Sequence, residues 1–185
     1  FAALTTAQVA ALTTEQIQLG VTVPLVTVLR TDQAGALSSV QVVALTTNQL
    51  GALETQDIAA LTTSAIGALT THQVNQGLYT NQIAALTTAQ VVALRTDQAG
   101  ALGSSQVGAL RTEQLSAMNT RDVAALNTSA VGALTTTQIV ALRTDQVSAL
   151  NTGQVVVLST EQLGAMKTQD IAALSTAAVG ALTTD

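Results

Sequence analysis

The chain has 185 residues, of which 48% are hydrophobic, 9% are charged and 1% are aromatic, and it contains no Cys. Six Lys and Arg residues are outnumbered by eleven Asp and Glu residues, so the formal net charge is −5. This composition excludes the dense basic surface by which proteins bind nucleic acid, and the lack of Cys excludes disulfides and thiolate metal sites.

An eight-residue repeat runs through most of the chain and is marked by Leu or Met from Leu4 to Leu182. We number each repeat, or octad, from this residue as position zero. Position two is nearly always Thr, position four is usually Gln, position five is Val, Ile, Leu or Ala, and position seven is nearly always Ala. Tandem short units are typical of solenoids, in which each repeat packs on its neighbours.

We interpret residues 1–185 as a single repeat array. Because the sequence begins and ends within the motif, we expect a section of a longer array. Thr and Gln interrupt every octad, so no apolar run reaches the roughly 18 residues of a transmembrane helix. Pockets for small molecules are lined largely by apolar and aromatic side chains, and the near-absence of aromatic residues therefore predicts no small-molecule substrate and no cofactor.

The spacing of the apolar positions favours helices over strands. Positions five and eight share a helix face but would point to opposite sides of a strand. One continuous helix is excluded, since eight residues at about 100° each rotate the Leu by roughly 80° per octad. We therefore predict an all-α solenoid of very short helices, one per octad, with positions five, seven and eight in the core. The alternative is a β-solenoid in which the Thr residues form a flat ladder.

The first departure from the octad lies between Leu12 and Leu29, which span seventeen residues, or two octads plus one. The motif is lost at residues 18–28, and this segment holds the only proline, Pro24. We expect an extended segment or a bulge there.

A second departure lies between Leu69 and Leu86, which also span seventeen residues. The surplus residue falls near Gln76 and Gly77, so we expect an irregularity at 75–78. Because both disturbances occupy two octads plus one residue, we favour two octads per coil of the solenoid.

The Thr of position two is typical of a helix N-cap, whose side-chain oxygen accepts a hydrogen bond from a backbone N–H two or three residues later. On this interpretation Thr112 is a cap, whereas Thr135, at position one, is not. The predicted caps share position two and are Thr6, Thr14, Thr31, Thr47, Thr55, Thr63, Thr96, Thr112, Thr128, Thr144, Thr160 and Thr176.

The charged residues agree with short capped helices, which prefer carboxylates in the first turn and cations near the end. Most acidic residues directly follow the Thr, and five of the six basic residues directly follow the Leu, where a helix in this register would end. An Asp replaces the Gln of position four at Asp57, Asp122 and Asp170, which we interpret as first-turn carboxylates. The last two of these Asp residues are 48 residues apart, which indicates duplication in blocks of six octads.

The Gln of position four predicts contacts between coils. A column of carboxamides can form a ladder in which each Gln donates to the carbonyl group of the next. We expect this structural role rather than ligand binding. The predicted column consists of Gln49, Gln90, Gln98, Gln114, Gln138, Gln146 and Gln162.

The sequence offers no set of residues for catalysis. His72 is the only histidine, and no Ser, Cys or carboxylate partner recurs near it, although a general base or an activated nucleophile needs such a partner. We expect His72 to be a solvent-facing residue of a first helical turn, and we predict no catalytic residue, no metal ligand and no enzymatic activity.

The motif Ala-Leu-Thr-Thr-x-Gln followed by Val, Ile or Leu resembles the long repeat arrays of giant surface or secreted proteins of Gram-negative bacteria, commonly labelled adhesin-like. The segments that carry it are Ala3–Val9, Ala11–Ile17, Ala44–Leu50, Ala85–Val91 and Ala133–Ile139. The resemblance implies an extracellular or cell-surface location.

The sequence therefore favours a structural segment of an extracellular bacterial stalk, adhesin or self-assembling fibre, without catalysis. Self-association into a filament is the expected partnership. Two alternatives stay open at this point: an ice-binding β-solenoid with a Thr ladder, and a solenoid that binds another protein.

Overall fold

A computed structural model of the chain describes residues 2–182. In this range the regular structure consists of twenty α-helices and two π-helices, with no strand, and the helices have four to six residues each. The predicted all-α solenoid of very short helices is confirmed. Without strands in residues 2–182, no β-ladder exists there to present the Thr residues as the β-solenoid alternative requires.

The contacts divide the chain into two compact units, Phe1–Leu94 and Arg95–Asp185. The helices of the first unit are α1 (Thr6–Ala10), π1 (Gln16–Gly20), α2 (Val23–Val26), α3 (Thr31–Gly35), α4 (Ser39–Ala44), α5 (Thr47–Gly51), α6 (Thr55–Ala60), α7 (Thr63–Ala68), π2 (Gln73–Gly77), α8 (Thr80–Ala85) and α9 (Thr88–Val92).

The second unit continues the same alternation of short helices and short connections. Its helices are α10 (Thr96–Ala101), α11 (Ser104–Gly108), α12 (Thr112–Ala117), α13 (Thr120–Ala125), α14 (Thr128–Gly132), α15 (Thr136–Ala141), α16 (Thr144–Ser148), α17 (Thr152–Val155), α18 (Thr160–Ala165), α19 (Thr168–Ala173) and α20 (Thr176–Gly180).

Within each unit a helix packs on the helix three elements further along the chain. The stacks of the first unit are α1, α3, α6 and α8; π1, α4, α7 and α9; and α2, α5 and π2. Those of the second unit are α10, α13, α16 and α19; α11, α14, α17 and α20; and α12, α15 and α18.

One coil therefore contains three octads, and successive helices of one stack in the second unit begin 24 residues apart, as at Thr96 and Thr120. The expectation of two octads per coil is wrong. Three helices can surround the side chains of positions zero and five, whereas a coil of two would leave one edge of that core in water.

The corner between α4 and α5 is made by two consecutive residues in extended conformation. Leu45, with φ −64° and ψ 137°, ends α4, and Thr46, with φ −69° and ψ 162°, precedes α5. Among the described residues no φ is positive, so the corner does not require Gly. Ordinary side chains can therefore occupy every corner of the array.

The core consists of positions zero, four and five. In the octad that begins at Leu110, Gln114 and Leu115 are fully buried, and Met118 at the next position zero is 1% exposed. Ala117 at position seven is only half-buried. The expected core of positions five, seven and eight is thus corrected: position four lies inside, because it faces the corner between two coils, and position seven lies at the margin.

The surplus residue of each irregular segment is taken up by a π-helix, whose wider turn holds one more residue than an α-helical turn. After π1 and π2 the buried position zero is restored by Val21 and Leu78. Residues 23–26, expected to be extended or bulged, instead form α2. Pro24 lies in its first turn, where a missing backbone N–H costs no helical hydrogen bond.

Two Gly residues of position six lie where neighbouring coils approach closely. A Cβ atom built on Gly67 would lie 2.9 Å from the carbonyl oxygen of Ala93, and one on Gly100 would lie 3.0 Å from that of Ala125. Both distances are shorter than normal contacts. A residue without Cβ is therefore needed at these two points.

Candidate functional site between the coils

The N-cap of each α-helix is position one, directly before the position that usually carries Thr. At the start of α15, Thr135 has the extended conformation of a cap, and its Oγ1 accepts a hydrogen bond from the backbone N–H of Gln138 at 3.1 Å. Thr136 is the first helical residue. The predicted capping register is therefore displaced by one residue.

The displacement applies to all the predicted caps. Thr6 is the first residue of α1, and ten other predicted caps are likewise the first residue of an α-helix. The twelfth, Thr14, lies in the helical turn that leads into π1. The ten are Thr31, Thr47, Thr55, Thr63, Thr96, Thr112, Thr128, Thr144, Thr160 and Thr176. The error arose because both neighbouring positions often carry a hydroxyl group, and the more regular of the two is not the cap.

The Gln of position four explains why the cap itself can vary. Its Oε1 accepts the backbone N–H of the N-cap residue, a bond that does not depend on the side chain of that residue. Gln138 accepts from Thr135 N at 2.9 Å, and Gln106 accepts from Gly103 N at 2.9 Å. The same bond joins Gln82 to Tyr79 N at 2.8 Å.

The other end of the same carboxamide binds the preceding coil. Gln138 Nε2 donates to the carbonyl oxygens of Leu110 at 2.7 Å and Val107 at 3.0 Å. Gln90 Nε2 likewise donates to Leu61 O at 2.7 Å and Ile58 O at 2.8 Å. These carbonyl groups lie at or just after a helix C-terminus, where the last four lack the usual partner four residues further along. Val107 O and Ile58 O also accept the N–H of Leu110 and Leu61. One buried side chain thus completes the ends of two helices in different coils.

Most of the predicted Gln column occupies this position. The members whose Nε2 donates to a main-chain carbonyl group of the preceding coil are Gln49, Gln90, Gln138, Gln146 and Gln162. Gln98 and Gln114 are fully buried and accept from the N–H of Arg95 at 2.7 Å and Arg111 at 2.6 Å. The acceptors are backbone carbonyl groups, not other Gln side chains, so the expected amide ladder is replaced by side-chain to backbone bonds.

Further Gln residues at position four belong to the same set, although the sequence analysis did not single them out. Their position in the octad was the signal that would have identified them. The buried members are Gln33, Gln41, Gln73, Gln82, Gln106 and Gln154. Gln8 and Gln16 keep the bond to their own cap but are exposed.

An Asp at position four makes a different bond between coils. Asp57, Asp122 and Asp170 are 0%, 3% and 1% exposed. Each accepts a hydroxyl hydrogen bond from the Thr 26 residues earlier: Asp57 from Thr31 at 3.0 Å, Asp122 from Thr96 at 2.8 Å, and Asp170 from Thr144 at 2.7 Å. A carboxylate has no hydrogen to donate, unlike the carboxamide of Gln. In these octads the donor is therefore the Thr hydroxyl group of the preceding coil.

This contact explains the longer period of the sequence. The donating Thr always belongs to an Arg-Thr-Asp-Gln octad, and the Asp lies one coil later in the same stack. Each Arg-Thr-Asp-Gln octad is therefore followed one coil later by an octad with Asp at position four. The interpretation of Asp57 as a first-turn carboxylate also holds, because its Oδ2 accepts the backbone N–H of Glu54 at 3.3 Å.

The Arg residues after the Leu are N-cap residues, not the last residues of a helix. Each pairs with the acidic residue two positions later, as Arg143 does with Asp145 at 2.9 Å, and both groups are exposed. Arg143 Nη1 also donates to the carbonyl oxygens of Ser116 and Met118, at the C-terminal end of α12 in the preceding coil. The cation thus lies near a helix C-terminus, as the dipole argument requires, but the helix belongs to another coil.

The described residues provide no catalytic constellation. His72 is exposed in the turn before π2, and residues 2–182 contain no group of three or more His, Asp or Glu side chains placed to hold a metal ion. A shallow depression of about 430 Å³ in the first unit is lined by Val23, Asn48, Gly51, Ala52 and Tyr79, none of which forms an acid–base pair.

None of the helices in residues 2–182 has the length and apolar character needed to cross a membrane. The family described as the ALTTAQ repeat matches the chain six times, in overlapping segments at residues 50–88, 76–112, 107–144, 115–152, 123–160 and 155–185. Together these segments span more than half of the chain. No curated protein matches the chain.

The capping register can be tested with two adjacent Thr residues. Thr135→Ala removes the cap of α15 and is expected to lower the free energy of unfolding by about 1 kcal/mol. Thr136→Ala changes an exposed residue without a described hydrogen bond and should alter it by no more than about 0.5 kcal/mol. Urea denaturation of both variants provides the measurement, and a larger loss for Thr136→Ala would restore position two as the cap.

The role of the carboxamide between coils can be tested with an apolar side chain of similar length. Gln138→Met leaves the buried carbonyl group of Leu110 and the N–H of the exposed Thr135 without their Gln partner, and it should lower the free energy of unfolding by about 1–3 kcal/mol. Gln8→Met is the matched control: it loses only an exposed capping bond and should cost about 1 kcal/mol or less. Equal losses in urea denaturation would contradict the inter-coil role.

Proposed function

Because the chain belongs to the ALTTAQ repeat family, whose position-four Gln is used here to bind one coil to the next, we propose that the chain is a structural spacer of an extracellular bacterial stalk or fibre. The observation that carries this proposal is the burial of this Gln, or of an Asp in its place, at the contacts between coils. The Gln that recurs in most octads is thus used to hold neighbouring coils together.

The composition of the outer surface supports a structural role. The acidic residues that pair with Arg are exposed on the outside of the coils, and four such pairs lie within single octads, at Arg30, Arg95, Arg111 and Arg143. Within these four pairs the opposite charges neutralise each other locally, so the pairs themselves add little field that could attract a charged ligand. The extracellular setting rests on the resemblance to repetitive surface proteins of Gram-negative bacteria.

The contacts also support a spacer whose length can change by duplication. Within each unit a coil packs on the coils next to it, so the stability of such an array is roughly a sum of repeat and nearest-neighbour contributions. A block of 48 residues contains two complete coils of three octads, and it keeps each Arg-Thr-Asp-Gln octad one coil before its Asp octad. Addition of such a block therefore reproduces existing contacts.

Self-association is the second part of the proposal. Gln8 and Gln16 hold their carboxamides against their own caps at 2.9 Å, yet within residues 2–182 their Nε2 groups have no acceptor. The corresponding groups of later coils bind the C-terminal carbonyl groups of a preceding coil. A preceding coil of the same repeat, in the same array or in a second copy, offers such carbonyl groups; when a second copy supplies them, the head-to-tail contact extends into a filament.

The spacer proposal is tested by duplicating residues 95–142 directly after Leu142. Spin labels are attached to Cys substitutions at the original Arg121, not at its copy in the added block, and at Gln169. The two labels start two coils apart, and stacked helices are separated by about 8–10 Å, so pulsed electron paramagnetic resonance should give a narrow distance distribution near 20 Å. The added block should move this distribution to about 40 Å without broadening it.

A Gly/Ser insertion of equal length after Leu142 is the control, because a flexible chain gives a broad distribution. A broad distribution for the duplicated block as well would contradict a rigid, extendable spacer.

The association is tested by sedimentation velocity over a range of protein concentrations. The sedimentation coefficient of the unaltered chain should rise with concentration. The double variant Gln8→Glu, Gln16→Glu keeps the oxygen that caps each helix but replaces the donor by a carboxylate, which repels the carbonyl groups of a second copy. It should stay monomeric.

The control Asn81→Asp, Ser129→Asp adds the same charge at exposed positions and should associate like the unaltered chain. If both double variants associate equally, the Gln residues do not form the contact.

A further inference from the structure

The contact between Thr31 and Asp57 places a carboxylate in the packed interior between α3 and α6 of the first unit. Asp57 is fully buried, and the octads that carry Gln at position four have a neutral side chain there. Its Oδ1 accepts the Thr31 hydroxyl at 3.0 Å, and its Oδ2 accepts the Glu54 N–H at 3.3 Å. Both oxygens therefore have a donor, but neither donor is a cation.

The charged groups around Asp57 do not compensate its charge. On its own helix, Glu54 at the N-cap is another carboxylate. On α3, Arg30 is paired with Asp32 at 3.0 Å and donates to the carbonyl oxygen of Ala2. On the other side, α8 contains no charged residue, and the only titratable group at its start is the phenol of Tyr79. A negative charge on Asp57 is thus buried beside a like charge.

We propose that this Thr–Asp contact is a proton-responsive lock between two coils, which becomes tighter when the surroundings are acidified. The neutral carboxylic acid keeps the carbonyl oxygen that accepts the Thr31 hydroxyl, so the bond between the coils survives protonation. Protonation removes the cost of burying a charge and the repulsion by Glu54. The contact is therefore formed at both pH values but is favoured more strongly in acid.

The direction of the effect follows from the titration of Asp57. Burial raises the pKa of Asp57 above its ordinary value, the hydrogen bonds from Thr31 and Glu54 N–H oppose that rise, and the charge of Glu54 adds to it. A carboxyl group with a higher pKa in the folded state binds its proton more tightly there. The free energy of unfolding then rises as pH falls through the folded pKa, and the gain is complete below the unfolded pKa of about 4.

Exposed carboxylates act in the opposite direction and must be separated from this effect. The hydrogen bond from Arg30 lowers the pKa of Asp32, and the same arrangement with Arg95 and Arg143 lowers the pKa of Asp97 and Asp145. These contributions are lost as pH falls. The lock therefore cannot be judged from the pH dependence of the unaltered chain alone.

Carboxyl-carbon NMR titration of the full chain tests the lock directly. The Asp57 signal should titrate at a higher pH than that of Asp32. Thr31→Val removes a bond to the charged form and should raise the Asp57 midpoint, whereas Glu54→Gln removes a like charge and should lower it. Titration of Asp57 at or below the midpoint of Asp32, or an unchanged midpoint in Thr31→Val, would overturn the proposal.

Hydrogen exchange of the α3 and α6 amides tests whether protonation strengthens the contact between the coils. After correction for intrinsic exchange rates, protection should increase from about pH 7 to about pH 4.5 relative to the variant Asp57→Asn, which has similar shape but does not titrate. The amides of α15 and α18, in a stack without Asp at position four, serve as the internal control. The same pH dependence in the variant and the unaltered chain would show that Asp57 is not the responsive group.

Discussion

The structure depends on a carboxamide, present in most octads, that serves two helix ends at once. A helix of four to six residues is too short to be stable alone, and nearly all of its backbone N–H and carbonyl groups belong to a terminal turn. The Gln of position four accepts an N–H at the start of its own helix and donates to carbonyl groups at the end of a helix in the preceding coil. Of the common side chains of this length, Glu lacks the donor and Met lacks both functions.

Because the Gln binds the backbone of the cap residue, the side chain at position one can vary. Because Gln138 or Gln106 binds the backbone N–H of the cap residue, the cap can be Thr135 or Gly103 without loss of that bond. Arg at the same position adds an exposed ion pair and a contact to the coil below. A spacer built in this way can change its surface, by substitution at position one, while the contacts between its coils stay the same.

The Asp octads are an exception that reveals how coils recognise each other. A Gln is compatible with any neighbour that presents a helix C-terminus, whereas Asp122 needs a hydroxyl donor from the coil below, supplied by Thr96. The pairing is specific to two octad types and repeats with the 48-residue block. It introduces buried carboxylates into an otherwise neutral column, which is the origin of the pH response inferred for Asp57.

The sequence by itself determined the local features of this protein: short helices broken in every octad, a core of positions zero and five, and a Gln column that bonds across coils. These follow from an apolar period of eight and from the length of a helical turn, which neighbouring residues alone dictate. The tertiary structure decided that Thr135 rather than Thr136 is the cap, that three octads close a coil, that π1 and π2 take up the surplus residues, and that Arg143 lies at the end of α12. The coil of three octads and the position of Arg143 depend on contacts 24 to 28 residues away in the chain, which a nearly uniform octad cannot specify. The cap and the π-helices are local, but the adjacent hydroxyl groups of Thr135 and Thr136 and the single surplus residue each allow more than one local arrangement.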